Sequence, residues 1–384
     1  MTGGGSGGHI TPLLPLARAL KAQDPDCRII YIGLKNEKLP GLENRFEAFD
    51  GVYRIVSGKF RRYHGQSLLQ RLLDLKTMFL NLRDLLRVAR GTLSARRLLQ
   101  RLKPDIVFSK GGYVVVPVGL AAKSKRIPII THDSDTVPGL ANRLIGKWAV
   151  IHATGMPPQY YPYDQKTISY TGIPVDERIK IVTHQLQSDY KKQLKIDPQA
   201  KVLLIGGAGH GARDLNQHII NVSEELLNGV SSLHILHICG QAHIDTVKQS
   251  YRAKLTPEML ERVTVVGFTA NFYLYSGAAD LVISRAGATT IAELAAQHKA
   301  VLLIPAPFLT GGHQLQNAKA LKDLKAVEVL DNDVPDEKLL NTIVRLLNDD
   351  PKRITLAENL AQTAHPQAAK ELAEIIINTA QKHI

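Results

Sequence analysis

Short apolar runs alternate along the chain with longer stretches of helical periodicity. Residues 27–33, 52–56, 105–109, 128–131, 149–153 and 169–172 form one series of strand candidates. Residues 202–206, 234–239, 263–267, 281–284, 301–305 and 326–330 form a second. These runs are apolar on both faces and bounded by Gly or Pro, the pattern of parallel strands buried under helices. Two such series predict an α/β protein of two doubly wound, Rossmann-like domains. The break falls after Thr171-Gly172-Ile173-Pro174, which predicts domains over 1–174 and 175–384. The last helix is expected to pack back on the first domain.

The start of the pattern is unusual. A doubly wound domain opens with a central strand that feeds its first glycine loop. Here the glycines begin at Gly3, and Met1-Thr2 are too short to be that strand. The pattern therefore predicts a slot in the first sheet, to be filled by about six residues of apolar strand upstream.

Charge changes the picture more than length does. The 384 residues carry a formal net charge of +13, and the pI is about 9.6. Such a chain favours anionic partners: nucleic acid, anionic lipid or phosphorylated substrates. The two cysteines, Cys27 and Cys239, sit far apart in apolar runs, which argues against a disulfide scaffold or a zinc site. The glycine-rich start does not read as a signal peptide, and no apolar run approaches the ~18 residues of a membrane span.

Four segments place glycine where a strand turns into a helix: 3–9, 111–113, 206–211 and 284–290. Glycine admits positive φ and close approach to a ligand, and the following helix offers free N–H groups and its positive dipole end. One such loop is explained as easily by a tight turn. Four at the carboxyl ends of strands point to a phosphate-rich ligand between two domains. No G-x-x-x-x-G-K-[ST] is present, which excludes a P-loop ATPase reading. The acidic residue that binds a dinucleotide ribose is also missing after the second strand.

These loops carry a resemblance. Gly4-Gly5-Ser6-Gly7-Gly8-His9 resembles the first loop of the MurG family. So do Ser57-Gly58-Lys59-Phe60-Arg61-Arg62-Tyr63, Ser109-Lys110-Gly111-Gly112-Tyr113 and Val137-Pro138-Gly139-Leu140-Ala141-Asn142-Arg143. Thr171-Gly172-Ile173-Pro174-Val175, the run from Arg285 to Leu294, and His313-Gln314 with Asn317-Ala318 extend it over nearly the whole chain. The resemblance implies a GT-B fold, two Rossmann-like domains facing across a cleft. It implies an inverting, metal-independent transferase without a cofactor. The donor would be UDP-N-acetylglucosamine and the acceptor undecaprenyl-diphospho-N-acetylmuramoyl-pentapeptide, giving lipid II for peptidoglycan at the cytoplasmic face of the membrane.

It also implies roles. Glu293 would bind the ribose hydroxyls, and Phe268 and Thr269 would border the uracil. Arg285, Gly287, Ala288, Thr289 and Thr290 would form the diphosphate turn, with Gly209 from the third loop. His313 and Gln314 would contact the sugar. Ser6 and Gly7 would line the first-domain wall, and Gly111, Gly112 and Tyr113 would meet the acceptor. The residues support this independently: a carboxylate near a glycine turn can hold a diol, and a helix dipole can stabilise departing UDP without a metal. Two departures concern donor contacts. Asp135 stands where the family has an asparagine at the sugar, and Asp176 stands where it has an arginine, with Arg178 nearby. The third loop is one residue longer and lacks its serine.

Inverting transfer needs a base for the acceptor hydroxyl. His9, after a glycine loop, is the first candidate, and a helix-capping or phosphate-binding role fits it equally well. Asp133 is the second, with a helix-start or turn role as its rival. Arg285 could simply anchor its turn.

Between Lys59 and Lys103 the chain is densely basic, with only Asp74 and Asp84 opposing. Leu68, Leu72, Leu75, Phe79, Leu82 and Leu86 recur at helical spacing, so one stripe should face the core. The apolar surplus predicts docking on an anionic membrane surface. Nucleic acid is the rival for the charge, but the segment has no interleaved aromatics or binding motif. Other readings of the whole chain are a glycolipid transferase with a different lipid acceptor, a UDP-sugar epimerase of similar fold, and a UDP-sugar-binding protein without catalysis.

Overall fold

A computed structural model describes residues 1–5, 7–36, 43–59, 74–206, 212–307 and 310–383. The chain forms two compact units, Met1–Pro174 with Gln367–Ile384, and Val175–Pro366.

In the first unit β1 (Ile30–Leu34) runs parallel to β2 (Gly51–Ile55). A parallel four-stranded sheet follows in the order β3 (Val107–Ser109), β4 (Ile129–Asp133), β5 (Ala149–Thr154) and β6 (Ile168–Tyr170). Met1 and Thr2 stand between β1 and β3. Thr2 bridges Ile32 on one side and Ser109 on the other. Its N–H donates to Phe108 O at 2.8 Å, and its carbonyl accepts from Lys110 N at 2.9 Å. Two residues thus hold the central position at the mouth of the first glycine loop.

The helix Leu13–Gln23 buries Leu13, Leu16, Ala17 and Leu20, and the core there includes Leu372, Ala373 and Ile376 of the helix Ala368–His383. The C-terminal helix is therefore part of the first unit. The basic helix Leu75–Leu102 starts where Asp74 accepts from Thr77 N at 3.0 Å and ends at Lys103 in the left-handed region. Its buried face is Asp84, Val88, Ala95, Leu98 and Leu99. Two glycines let segment 56–58 run against it: a Cβ on Gly91 would lie 2.1 Å from Val56 O, and one on Gly58 2.1 Å from Asp84 O. Phe79, Leu82 and Leu86 turn outward instead, at 69%, 58% and 56% exposure, beside exposed Met78, Leu85 and Leu93. The core-facing stripe is built around the buried Asp84. Leu68 and Leu72 lie outside the described residues.

The second unit holds one parallel sheet, in the order β12-β11-β10-β7-β8-β9. Its strands are β7 (Lys201–Gly206), β8 (Leu233–Ile238), β9 (Val263–Val266), β10 (Leu281–Ser284), β11 (Val301–Leu303) and β12 (Glu328–Val329). Both faces are covered, so Leu203 and Ile205 enter one apolar cluster while Val202 and Leu204 enter another. The strand order reverses between β7 and β10. Ligands of open α/β sheets bind at the carboxyl ends of strands at such a reversal.

Among the described residues, no helix is long and apolar enough to cross a membrane.

Candidate active site

The first unit gathers its polar residues at the carboxyl ends of β3 and β4. Gly111 and Gly112 follow β3 with φ of 102° and 84°, and Gly5 has φ 88°. The two loops touch. A Cβ on Gly112 would fall 1.9 Å from Gly4 O, and one on Gly5 would fall 2.9 Å from the Tyr113 ring. A Cβ on Gly111 would face His9 Nε2 and Asn142 Nδ2, each at 3.7 Å. His9, Gly111, Gly112 and Tyr113 therefore form one locus. Ser57 Oγ ties it to the basic helix's neighbourhood by donating to Tyr113 O at 2.8 Å. Ser6 lies outside the described residues.

Asp133 ends β4 and is buried. Its Oδ1 accepts from Asn142 Nδ2 at 3.0 Å and from Gly139 N at 3.3 Å, and its Oδ2 accepts from Tyr163 OH at 2.9 Å. Tyr163 in turn stacks on His152, with ring centroids 3.7 Å apart. These bonds make Asp133 the anchor of the helix Leu140–Ile145, which the sequence offered as the rival to a base. Burial pushes its carboxyl up, against the opposing pull of Asn142, Tyr163, Gly139 and Lys110. Burial, with the charge of Lys110, pushes His9 down to about 3. The fold thus moves the two candidate bases in opposite directions, His9 down and Asp133 up. His132 donates Nε2–H to Gly172 O at 2.9 Å. Its buried Nδ1 has no hydrogen-bond partner among the described residues.

The second unit builds its locus where β10 ends. Arg285, Ala286 and Gly287 make the turn, and the helix Ala288–Ala296 begins directly after it. A Cβ on Gly287 would meet nothing within 4 Å, so the approach to the helix start is open. Thr289, Thr290 and Glu293 are partly buried on this helix. Arg285 is buried, and its guanidinium donates to Ile304 O at 2.8 Å and to Asn332 Oδ1 at 2.6 Å. Its charge is committed to holding the turn. Asn317 holds it from the other side, donating to Ala286 O at 3.0 Å. Gln314 is buried and accepts from Ala306 N at 2.9 Å, which fixes its amide beside partly buried His313. Phe268 is 36% exposed after β9, and Thr269 Oγ1 accepts from Asn271 N at 3.0 Å. Gly209 lies outside the described residues.

Arg178 is also committed. Its Nε meets Asp176 Oδ1 at 2.8 Å, its other arm meets Asp176 Oδ2 at 2.9 Å, and its guanidinium lies 4.8 Å over the Tyr273 ring. Asp176 therefore brings its own counter-charge.

Asn142, Tyr163, Asn332, Lys110 and Asn317 act as supports, a task that no sequence pattern displays. Each supports a turn from a distance that sequence does not display. Tyr163 had one visible signal, the tyrosine-rich run 160–163 beside a strand end.

The family models of the glycosyltransferase family 28 N-terminal and C-terminal domains match residues 1–152 and 201–372. A protein of Bacillus cytotoxicus is 32% identical over 379 residues, 98% of this chain and 97% of that one. It is named UDP-N-acetylglucosamine--N-acetylmuramyl-(pentapeptide) pyrophosphoryl-undecaprenol N-acetylglucosamine transferase. The chain belongs to glycosyltransferase family 28. A Halothermothrix orenii protein of the same name is 32% identical over 388 residues, covering 99% of this chain and 98% of its own. Among solved structures, Acinetobacter baumannii MurG superposes with a TM-score of 0.68 at 25% identity, covering 98% of both chains. S. aureus MnaA with UDP gives a TM-score of 0.68 at 13% identity, covering 100% of this chain and 97% of its own, and speaks to the fold alone. The family 28 chain is thus a glycosyltransferase of the GT-B class, with two α/β domains on parallel sheets.

Proposed function

We propose that this glycosyltransferase moves N-acetylglucosamine from UDP-N-acetylglucosamine to undecaprenyl-diphospho-N-acetylmuramoyl-pentapeptide, forming lipid II with inversion and without a metal ion. The observation that carries the reading is the open helix start at the β10 turn, set at the strand-order reversal and pinned by Arg285 and Asn317. A pinned helix N-terminus is preorganised for the charge that grows on departing UDP.

In this reading, the N–H groups of Ala288 to Thr290 face the diphosphate. Glu293 takes the ribose hydroxyls, and Phe268 and Thr269 border the base. His313 and Gln314 meet the sugar. Arg285 acts through the turn rather than on the donor. On the first unit, the loops of His9, Gly111, Gly112 and Tyr113 receive the acceptor. His9 is the first candidate to take the hydroxyl proton, since it follows the first glycine loop and lies against Gly111, and Asp133 is the second. Asp135 would lie at the sugar. The exposed apolar and arginine-rich surface of the helix Leu75–Leu102 supports docking on anionic lipid at the cytoplasmic face, where UDP-sugars are available.

The test is transfer from labelled UDP-N-acetylglucosamine to a lipid I analogue, with and without EDTA, in wild type and Glu293→Ala. Transfer that survives EDTA and collapses in the variant is expected. Donor binding without turnover on any lipid acceptor would refute the reading.

A further inference from the structure

Lys110 is the first residue after β3. Its backbone N–H donates to Thr2 O at 2.9 Å, and the residue is 4% exposed. A Cβ on Gly3 would lie 3.3 Å from the Lys110 Cβ, so the side chain leaves from beneath the first glycine loop. Its ammonium donates to Ser134 Oγ, the acceptor it has among the described residues. An ammonium carries three donors, and burying one without full pairing costs several kcal/mol.

The groups that face it come from three elements. His9 comes from the turn Gly7–His9, His132 and Asp133 from β4, and Asp135 from the turn after β4. Burial lowers the Lys110 ammonium to about 8, while Asp133 and Asp135 hold it up. In return its charge adds to the burial that keeps His9 and His132 unprotonated, and it favours the ionised form of Asp133.

We propose that Lys110 is a positioning residue for the transfer: its buried ammonium pins Ser134, and with it the turn that leads from Asp133 at the end of β4 to Asp135, and sets the field in which His9 and Asp133 work. This rests on the transferase reading above. Asn142 grips Asp133 from the helix Leu140–Ile145, and Lys110 grips the next residue from β3, so the turn is held from two sides. Removing one partner of a buried charge cluster destabilises whatever its role, so the pH profile and the split between kcat and KM, rather than stability, separate a positioning lysine from a merely structural one.

The experiment compares wild type, Lys110→Met, Lys110→Gln and Ser134→Ala across pH. Without the cation, His9 and Asp133 hold their protons to higher pH. Lys110→Met should therefore move the acid limb of kcat/KM up by about one pH unit, while loss of the Ser134 tether lowers kcat at least about tenfold and leaves KM for UDP-N-acetylglucosamine unchanged. Ser134→Ala removes the tether and keeps the charge, so kcat should fall with the limb in place. Lys110→Gln carries the same comparison if the methionine variant melts early. Wild-type kcat in both lysine variants would overturn the proposal, and a fall with an unmoved limb would overturn its electrostatic half. Histidine NMR titration reads the same field without turnover: the His9 midpoint should rise in Lys110→Met and stay put in Ser134→Ala. If wild type transfers nothing to any lipid acceptor, the transferase reading fails while this arm still decides whether the field exists.

Discussion

Asn142 donates its side-chain amide to Asp133 Oδ1 at 3.0 Å, joining the helix Leu140–Ile145 to the end of β4. The same amide donates to His132 O at 3.0 Å, and its carbonyl accepts from Ser109 Oγ at 2.8 Å. One buried side chain thus satisfies groups from β3 and β4 at the floor of the candidate site. Asn142→Leu leaves all three without it. Stranding buried polar groups costs about 1–3 kcal/mol each, so unfolding free energy should drop by at least about 2 kcal/mol. Urea unfolding measures it, and transfer should be lost with it. Asn142→Asp should be worse above neutral pH than in mild acid, because it sets a second carboxylate on Asp133.

His237 predicts how the second unit responds to acid. It is fully buried, with Nδ1 2.9 Å from Tyr251 OH and Nε2 3.0 Å from Asn216 Oδ1. Burial lowers it from 6.5 to about 3. The unfolded chain binds this proton below pH 6.5 and the folded chain does not, so stability is present above that value and lost as pH falls. The slope approaches about 1.4 kcal/mol per pH unit between pH 6 and 3. His237→Gln should lower stability at pH 7 and flatten that slope. Urea midpoints at pH 7 and pH 5 in both proteins give the comparison; an unchanged slope would remove His237 as its cause.

Gly112 and Gly7 separate backbone need from ligand need. At Gly112, φ is 84° and a Cβ would lie 1.9 Å from Gly4 O. Gly112→Ala must move one glycine loop off the other, with an expected loss of over about 2 kcal/mol. A Cβ on Gly7 would meet nothing within 4 Å. Gly7→Ala should therefore leave thermal unfolding unchanged. Any effect on KM in that variant is the footprint of a substrate against the first loop.

Each of the twelve strands among the described residues overlaps an apolar run bounded by Gly or Pro, most plainly where both faces are buried, as in β4, β7 and β10, and less so in β2, which alternates with exposed positions. The glycine turns were legible for a similar reason, since positive φ at Gly111 and Gly112 restricts what can stand there. The supports were not. Asn142 acts 33 residues from Ser109, and Arg285 acts 47 residues from Asn332. Neither distance has a local signature. The basic helix was legible as amphipathic, but which of its stripes faces the core was not, because that face is built around Asp84. That aspartate is buried and meets Arg83 at 3.1 Å and Arg87 at 3.4 Å.

The outward leucines of that helix carry the last prediction. Phe79, Leu82, Leu85, Leu86 and Leu93 are each over half exposed, and Arg83, Arg87, Arg90, Arg96 and Arg97 share the helix with them. Apolar side chains that enter a bilayer gain about 25 cal/mol per Å² removed from water, and each cation near anionic lipid adds about 1 kcal/mol. Phe79→Glu with Leu86→Glu removes two insertions and sets two negative charges against the same lipid. Partition onto phosphatidylglycerol vesicles, read by sedimentation, should fall at least tenfold, while thermal unfolding stays where it was because neither side chain is in the core. Raised salt should weaken wild-type partition through the arginines. Transfer to a water-soluble acceptor analogue should persist in the double variant, and transfer to acceptor held in vesicles should drop. Unchanged partition would mean that this face meets something other than lipid, and the membrane reading of the helix would have to be withdrawn.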